Sequence, residues 1–148
     1  MQSEKIIERI VSWLKDYAEK AGVKGYVIGV SGGVDSGVVS TLCAMTGLKV
    51  LALEMPIRQQ KDQASRALEH IDFLKNKFPN VEGFTVDLNE PFEALYKTFD
   101  VKDDEFPAEK LAFANTRSRL RMLTLYYYGQ INGLLVCGTG NKVEDFGI

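Results

Sequence analysis

The sequence has little of what marks several common protein classes. No apolar run approaches the roughly 20 residues of a membrane-spanning helix. Its 18 basic and 20 acidic residues leave a formal charge of −2. The chain therefore lacks the excess of basic residues that is typical of nucleic-acid-binding proteins. The two cysteines, Cys43 and Cys137, are far apart, which excludes a disulfide scaffold and a zinc ribbon and predicts small buried apolar side chains. A lone histidine, His70, argues against a Ser-His-Asp triad or a histidine metal site.

The remaining composition is that of an ordinary globular protein. The chain has 148 residues, of which 45% are hydrophobic, enough for about one domain with a sizeable core. No repeat, low-complexity tract or linker divides it, so we expect residues 1–148 to form a single domain. The N-terminus mixes charged with apolar residues, unlike a signal peptide. With so few cysteines, these features predict a cytoplasmic location and no membrane segment.

Hydrophobic patterns alternate between helix and strand along the chain. Apolar residues recur at helical spacing from Ile6 to Ala18. Short apolar segments predict four strands, at residues 26–30, 49–55, 81–88 and 133–137. Helical patterns separate them, beginning near Ser36, covering about 62–78, and filling most of 90–130 with a break near 103–107. This alternation predicts a doubly wound, Rossmann-like α/β fold with about four parallel strands and helices on both faces.

Two loops rich in glycine and hydroxyl side chains follow predicted strands. Residues 31–36 come after the first strand, and residues 138–145 come after the fourth. Open α/β sheets bind ligands at the carboxyl ends of their strands, at the point where the strand order reverses. If the first and fourth strands are neighbours, these two loops face each other across a ligand site.

The segment Gly29-Val-Ser-Gly-Gly-Val-Asp-Ser36 has the chemistry of a polyphosphate-binding loop. Its paired glycines let the backbone approach a ligand closely, and Ser31 and Ser36 offer hydroxyl donors. The helix that follows directs free amides and the positive end of its dipole into the loop. Asp35 would repel bare phosphate, but it fits a site where Mg²⁺ bridges the carboxylate and the phosphates.

Two other phosphate-binding motifs do not fit this sequence. A Walker A motif requires a Gly-Lys dipeptide, which the chain lacks. The dinucleotide fingerprint requires a third glycine, and the nearest candidate, which begins at Gly138, has Val143 there. The alternative explanation of residues 31–36 is a tight strand-to-helix turn that binds nothing.

The loop SGGVDS after a first parallel strand resembles the loop of the N-type ATP pyrophosphatases. Three further stretches resemble the ammonia-dependent NAD synthetases, in order along the chain, at residues 54–60, 115–122 and 136–147. Those enzymes adenylate the nicotinate carboxylate of deamido-NAD with ATP, release pyrophosphate, and let ammonia displace AMP to give NAD. The resemblance therefore implies a ligase for ATP, deamido-NAD and ammonia that uses Mg²⁺ and works as a cytoplasmic homodimer.

The resemblance also implies roles for individual residues. The expected ATP contacts are Gly29, Val30, Ser31, Gly32, Gly33, Val34, Asp35, Ser36 and Thr139. Asp35 and Glu144 are expected to bind Mg²⁺, and Arg119 is expected to bind deamido-NAD. Gln60 is a weaker candidate for ATP, because a polar residue at a helix entry explains it equally well. No covalent nucleophile is expected, so catalysis would depend on positioning and charge stabilisation.

Helical geometry separates the three arginines of residues 117–121. At about 100° per residue, Arg117 and Arg121 share a helix face, and Arg119 points about 200° away from Arg117. All three cannot line one pocket. With Arg119 at the substrate, Arg117 and Arg121 are expected to form a surface or subunit-facing stripe.

The chain ends where the resembled family continues into a further phosphate-contacting loop, a last strand and a C-terminal helical part. We therefore expect the chain to be truncated at the C-terminus relative to that family. We expect it to bind nucleotide, whether or not it catalyses the complete reaction. Two alternatives stay open at this point. One is another N-type ATP pyrophosphatase, such as a GMP synthetase-like enzyme, and the other is a non-catalytic nucleotide-binding fragment.

Overall fold

The computed structural model describes residues 3–58, 61–99 and 106–140, with the backbone only for residues 61–64. Within these ranges the elements follow the order α1 (Ser3–Lys20), β1 (Gly25–Gly29), α2 (Val34–Met45), β2 (Lys49–Glu54), α3 (Lys61–Lys77), β3 (Val81–Thr85), α4 (Asn89–Thr98), α5 (Pro107–Asn132) and β4 (Leu135–Val136). The predicted alternation of helices and strands is confirmed. None of the helices in the described ranges is long and apolar enough to cross a membrane.

The start of α2 differs from the sequence-based expectation. The helix begins at Val34 rather than near Ser36, because Gly33 has an extended backbone and acts as the N-cap. The carbonyl of Gly33 accepts the first helical hydrogen bond, from the amide of Gly37 at 3.1 Å. Asp35 and Ser36 therefore belong to the first helical turn and not to the loop before it.

The four strands form one parallel sheet in the order β3-β2-β1-β4. Strand β1 is central, with Tyr26 opposite Val50 of β2 on one side and opposite Leu135 of β4 on the other. The chain runs outward from β1 to β3 and then returns to add β4 on the far side of β1. The first and fourth strands are therefore neighbours, which is the condition for their following loops to face each other, and both loops leave the same edge of the sheet.

Helices cover both faces of this sheet, as predicted. Alternate strand residues point to opposite faces, so Ile28 packs towards α1, α2 and α3, whereas Val27 packs towards α4 and α5. The first core includes Leu14, Ala18, Cys43, Ala44, Ala67, Ile71 and Leu74, and the second includes Phe92, Phe113 and Leu134. Burial on both faces explains why the strands are almost continuously apolar.

We expect Phe92→Ala to lower the free energy of unfolding by about 3–5 kcal/mol, because it leaves a cavity in the second core. The Phe92 ring is fully buried and packs edge-on against Phe113, with 6.0 Å between ring centroids. Phe99→Ala is the control, since that ring is 55% exposed at the end of α4, and its cost should stay below about 1 kcal/mol. Urea denaturation measures both variants, and equal losses would contradict this description of the core.

Candidate functional site

Two serine side chains hold the loop after β1 in shape. The two Oγ atoms of Ser31 and Ser36 lie 3.1 Å apart, and Ser31 Oγ accepts a hydrogen bond from the amide of Gly33 at 3.3 Å. Ser36 Oγ donates to the Gly33 carbonyl at 3.0 Å and accepts from the Ser31 amide at 3.2 Å. Ser36 is buried, so its hydroxyl organises the loop. Its predicted direct contact with ATP stays a prediction.

The loop leads into a helix N-terminus that carries no side-chain cap. Gly32 has a φ of +81°, a left-handed conformation that favours glycine. Gly33, the N-cap of α2, contributes no side chain to the first-turn amides. These amides lack intrahelical acceptors, and the helix dipole adds partial positive charge at the same end. The arrangement suits an anion such as phosphate.

A cavity of about 840 Å³ opens beside this loop, at the carboxyl ends of β1 and β4. Residues 29–33 form one side of it, and residues 136–139 from the loop after β4 form another. Residues of α5 and the segment after β2 complete the wall, including Met55, Ile57, Ser118, Met122 and Leu125. The two loops expected to flank a ligand site thus contribute to the same cavity.

Four arginines give this cavity its charge. They are Arg58, Arg66, Arg117 and Arg121, and no acidic side chain is found among the described residues of the lining. Guanidinium groups offer planar sets of donors that match phosphate oxygens. The cavity is therefore suited to a polyanionic ligand that contacts both the helix N-terminus and the arginines.

The prediction that Arg117 and Arg121 form a surface stripe is wrong. Helix α5 packs against β1 with the face that carries them, so both line the cavity. Arg121 is partly buried, and its Nε donates to the Met55 carbonyl at 3.0 Å. Burial and the nearby Arg117 lower the pKa of the Arg121 guanidinium from its ordinary value. Arg119 is exposed outside the cavity lining, with its Nη1 3.2 Å from the Asn115 carbonyl, and its substrate role stays a prediction.

Arg58 is fixed at the cavity by contacts with α4. Its Nε and Nη2 donate to the carboxylate of Glu93 at 2.6 and 3.0 Å, and its amide donates to Asn89 Oδ1 at 2.7 Å. The ion pair raises the pKa of Arg58 and lowers the pKa of Glu93. The guanidinium also lies over the rings of Tyr96 and Phe92, at 4.4 and 5.2 Å from their centroids. Sequence reasoning missed this residue, although it lies within the 54–60 stretch.

The other predicted site residues fall into three groups. Gly29 to Gly33 and Thr139 line the cavity, while Val34 and Asp35 are exposed at the start of α2. Glu144 and Gln60 lie outside the described residues. The described residues contain no group of three His, Cys, Asp or Glu side chains that could hold a metal ion alone. Mg²⁺ is commonly held by one or two carboxylates together with substrate phosphates, so Asp35 beside the loop fits such an ion.

The cysteines and the histidine make contacts that the sequence did not indicate. Cys43 is buried as expected, and Cys137 is partly buried, because it packs against the first core and also lines the cavity. The strand order places β4 beside β1, which brings the two sulfur atoms within 3.6 Å. His70 Nε2 lies 2.9 Å from Ser40 Oγ at the contact of α2 and α3, and burial lowers its pKa.

A parallel sheet with helices on both faces, and a charged cavity at the point where its strand order reverses, is the architecture of the doubly wound α/β proteins. Comparison with known families makes the assignment specific. The chain belongs to the NAD synthase family, whose model matches residues 6–146. This membership removes the reason for considering a GMP synthetase-like enzyme.

Individual relatives agree with this assignment. The chain is 37% identical over 145 residues to the NH(3)-dependent NAD(+) synthetase of Finegoldia magna, covering 97% of this chain and 56% of the relative. The corresponding protein of Methanocaldococcus jannaschii is 34% identical, with 97% of this chain and 54% of the relative covered. The chain thus spans about half the length of the curated relatives it matches.

Solved structures show the same fold. NMN synthetase from Francisella tularensis superposes with a TM-score of 0.83 at 33% identity, covering 97% of this chain and 57% of that one. The NH3-dependent NAD synthetase from Campylobacter jejuni, solved with a nitrate ion, also gives a TM-score of 0.83, at 31% identity and with 97% and 59% covered.

We expect Ser36→Ala to lower the free energy of unfolding by about 1–3 kcal/mol, because it removes a buried hydroxyl that donates to the Gly33 carbonyl and accepts from the Ser31 amide. Ser118→Ala is the control, since Ser118 is exposed in the same cavity, and its effect should stay within about 0.5 kcal/mol. Thermal unfolding measures stability, and amide hydrogen exchange of residues 31–33 should accelerate only in Ser36→Ala. Unchanged exchange there would contradict the role of the serine pair.

Proposed function

We propose that this chain is the ATP-binding portion of an ammonia-dependent NAD synthetase. The enzyme would join ammonia to the nicotinate carboxylate of deamido-NAD and convert ATP to AMP and pyrophosphate. The observation that carries the proposal is the arginine-lined cavity between the loops after β1 and β4, in a chain of the NAD synthase family. We also propose that residues 1–148 form one domain and that the protein works in the cytoplasm.

The ATP phosphates would bind at the start of α2. The proposed contacts are the ones expected from the sequence, with the first-turn amides of α2, at residues 34–36, facing the phosphates and Thr139 contacting ATP from the opposite loop. Arg117 and Arg121 supply the positive charge that a departing pyrophosphate requires. Because the amides of α2 and the guanidinium of Arg121 are held by the fold before the ligand arrives, they can stabilise charge that develops at the phosphates without reorganising.

Asp35 and Glu144 are the proposed ligands of Mg²⁺. The exposed carboxylate of Asp35 lies in the first turn of α2, beside the amides proposed to bind phosphate. When bound, Mg²⁺ would neutralise charge on the phosphates and on the leaving pyrophosphate. The reaction needs no covalent nucleophile from the protein, since the substrate carboxylate itself attacks the α-phosphorus. The chain's own residues would align the two reactants and stabilise charge.

Arg119 is the proposed contact of deamido-NAD, in a homodimer formed along α5. Its side chain is exposed outside the cavity lining. Large apolar side chains of the same helix are also exposed in the single chain, among them Leu111, Leu123, Tyr126, Tyr127 and Ile131. Exposed apolar surface of this kind is typical of protein interfaces. A partner subunit on this surface would place the dinucleotide near Arg119.

A second candidate differs in the substrate. The structure of NMN synthetase from Francisella tularensis superposes as well as that of an NAD synthetase, and at similar identity. The analogous reaction here would amidate nicotinate mononucleotide instead of deamido-NAD. Both substrates carry the same reacting carboxylate, so the ATP site described above serves either reaction.

Product chromatography tests the proposed reaction and separates the two candidates. We expect AMP and NAD to rise together only when Mg-ATP, ammonium and deamido-NAD are all present. AMP that forms with Mg-ATP, ammonium and nicotinate mononucleotide, but not when deamido-NAD is the acceptor, would favour the second candidate. Absence of AMP with either acceptor, in a chain that binds ATP, would contradict catalysis by this portion and leave a nucleotide-binding fragment.

Arginine variants of α5 test the location of the ATP site. We expect Arg117→Ala to weaken ATP binding by about tenfold or more, because a hydrogen bond to a charged group contributes about 1.5–3 kcal/mol. Arg119→Ala is the matched control on the same helix, and it should leave ATP affinity within about twofold. Isothermal titration calorimetry measures both variants. A larger loss in Arg119→Ala would contradict the assignment of the cavity to ATP.

A further inference from the structure

Cys43 and Cys137 form a close pair of thiols at the wall of the cavity. Their sulfur atoms lie 3.6 Å apart, although the two residues are 94 positions apart in sequence. Cys43 is fully buried in α2, whereas Cys137 follows β4 and lines the cavity. The Cys137 amide donates to the Val27 carbonyl at 2.9 Å, which anchors its backbone beside β1.

The two thiols have unequal environments. Cys43 Sγ donates a hydrogen bond to Cys137 Sγ, and this bond and burial raise the pKa of Cys43. Accepting the same hydrogen bond lowers the pKa of Cys137. The phenol of Tyr26 lies nearby and donates to the Leu14 carbonyl at 2.6 Å, and burial and the two thiols raise its pKa to about 12. Cys137 is therefore the thiol that ionises more readily, and the cavity gives small molecules access to it.

We propose that Cys43 and Cys137 are a redox-responsive pair that forms a reversible disulfide on reaction with hydrogen peroxide, and that this disulfide weakens ligand binding in the cavity. The first part stands on the geometry of the pair alone. The second part rests on the proposed ATP site.

The chemistry needs only the two thiols and one peroxide molecule. The Cys137 thiolate attacks one peroxide oxygen, the O–O bond breaks, and hydroxide leaves and takes up a proton to become water. Cys137 is then a sulfenic acid. The Cys43 sulfur attacks Cys137 Sγ, the S–O bond breaks, and the Cys43 proton leaves with the departing hydroxide as a second water. Both sulfurs are oxidised, and the peroxide oxygens are reduced.

Formation of the disulfide requires movement at the cavity wall. An S–S bond is about 2.05 Å long, so the sulfur atoms must approach each other by about 1.5 Å. Cys43 is held in the core by α2 and the sheet, whereas β4 is only two residues long. We expect the Cys137 side to move, and Gly138 and Thr139 to move with it. Both residues line the cavity, so its shape changes at the proposed ATP contact.

Mass spectrometry of the peroxide-treated chain tests the disulfide. We expect the intact chain to lose two hydrogen atoms, to contain a Cys43–Cys137 cross-linked peptide, and to return to its original mass with dithiothreitol. Cys43→Ala, which keeps that buried site apolar, should stop at a sulfenic acid on Cys137 that a dimedone probe traps. Wild-type chain that accumulates sulfinic acid on Cys137 without the cross-link, or keeps both thiols, would overturn the proposal.

Nucleotide binding tests the consequence. Bound ATP should block the access of peroxide to Cys137, because both occupy the same cavity. With ATP at ten times its dissociation constant, about one site in eleven is free, so oxidation of Cys137 should slow about tenfold. The oxidised chain should bind ATP more weakly, and dithiothreitol should restore the affinity. Equal affinity of oxidised and reduced chains would overturn the second part. A reduced chain that does not bind ATP would contradict the proposed function instead, and the mass result would be unaffected by it.

Discussion

The candidate site is assembled by the position of β4 beside β1. The chain builds three strands in one direction and then crosses to the other side of β1. This crossing brings the loop after β1 and the loop after β4 to one edge of the sheet. Helix α5 packs against β1 and β4 and lines the same cavity as the two loops. It also places Cys137 against Cys43. A β4 added beyond β3 would separate all of these groups by the width of the sheet.

Charge is the second organising feature, because the cavity gathers positive groups and leaves out acidic ones among its described lining residues. The uncapped start of α2 contributes backbone amides, and four arginines contribute guanidinium groups. The fold restrains two of these arginines before any ligand binds, since Arg58 is held by Glu93 and Arg121 by the Met55 carbonyl. Such preorganisation is what phosphate chemistry requires, because the charges need not be rearranged during the reaction.

Sequence reasoning predicted the fold and the first loop well, and it failed where tertiary packing decides. Alternating patterns placed both loops at the carboxyl ends of parallel strands, but only the strand order of the structure shows that these strands are neighbours. Helical geometry correctly separated Arg119 from Arg117 and Arg121, but angles within one helix do not show which face meets the sheet. Apolar residues also occur on the exposed side of α5, such as Leu123, so the distribution of apolar residues around the helix does not identify the face that packs against the sheet. The contact of Cys43 with Cys137 had no local signal, since it arises only when β4 is in place.

The start of α2 and the arginines of α5 are proposed to hold the polyphosphate of a nucleotide. A crystal structure of this chain with Mg²⁺ and a non-hydrolysable ATP analogue would show whether they do. We expect phosphate oxygens within hydrogen-bonding distance of the amides of residues 34–36, and the guanidinium of Arg117 or Arg121 directed at the same phosphates. Phosphates bound elsewhere, with the cavity between the β1 and β4 loops left open, would contradict it.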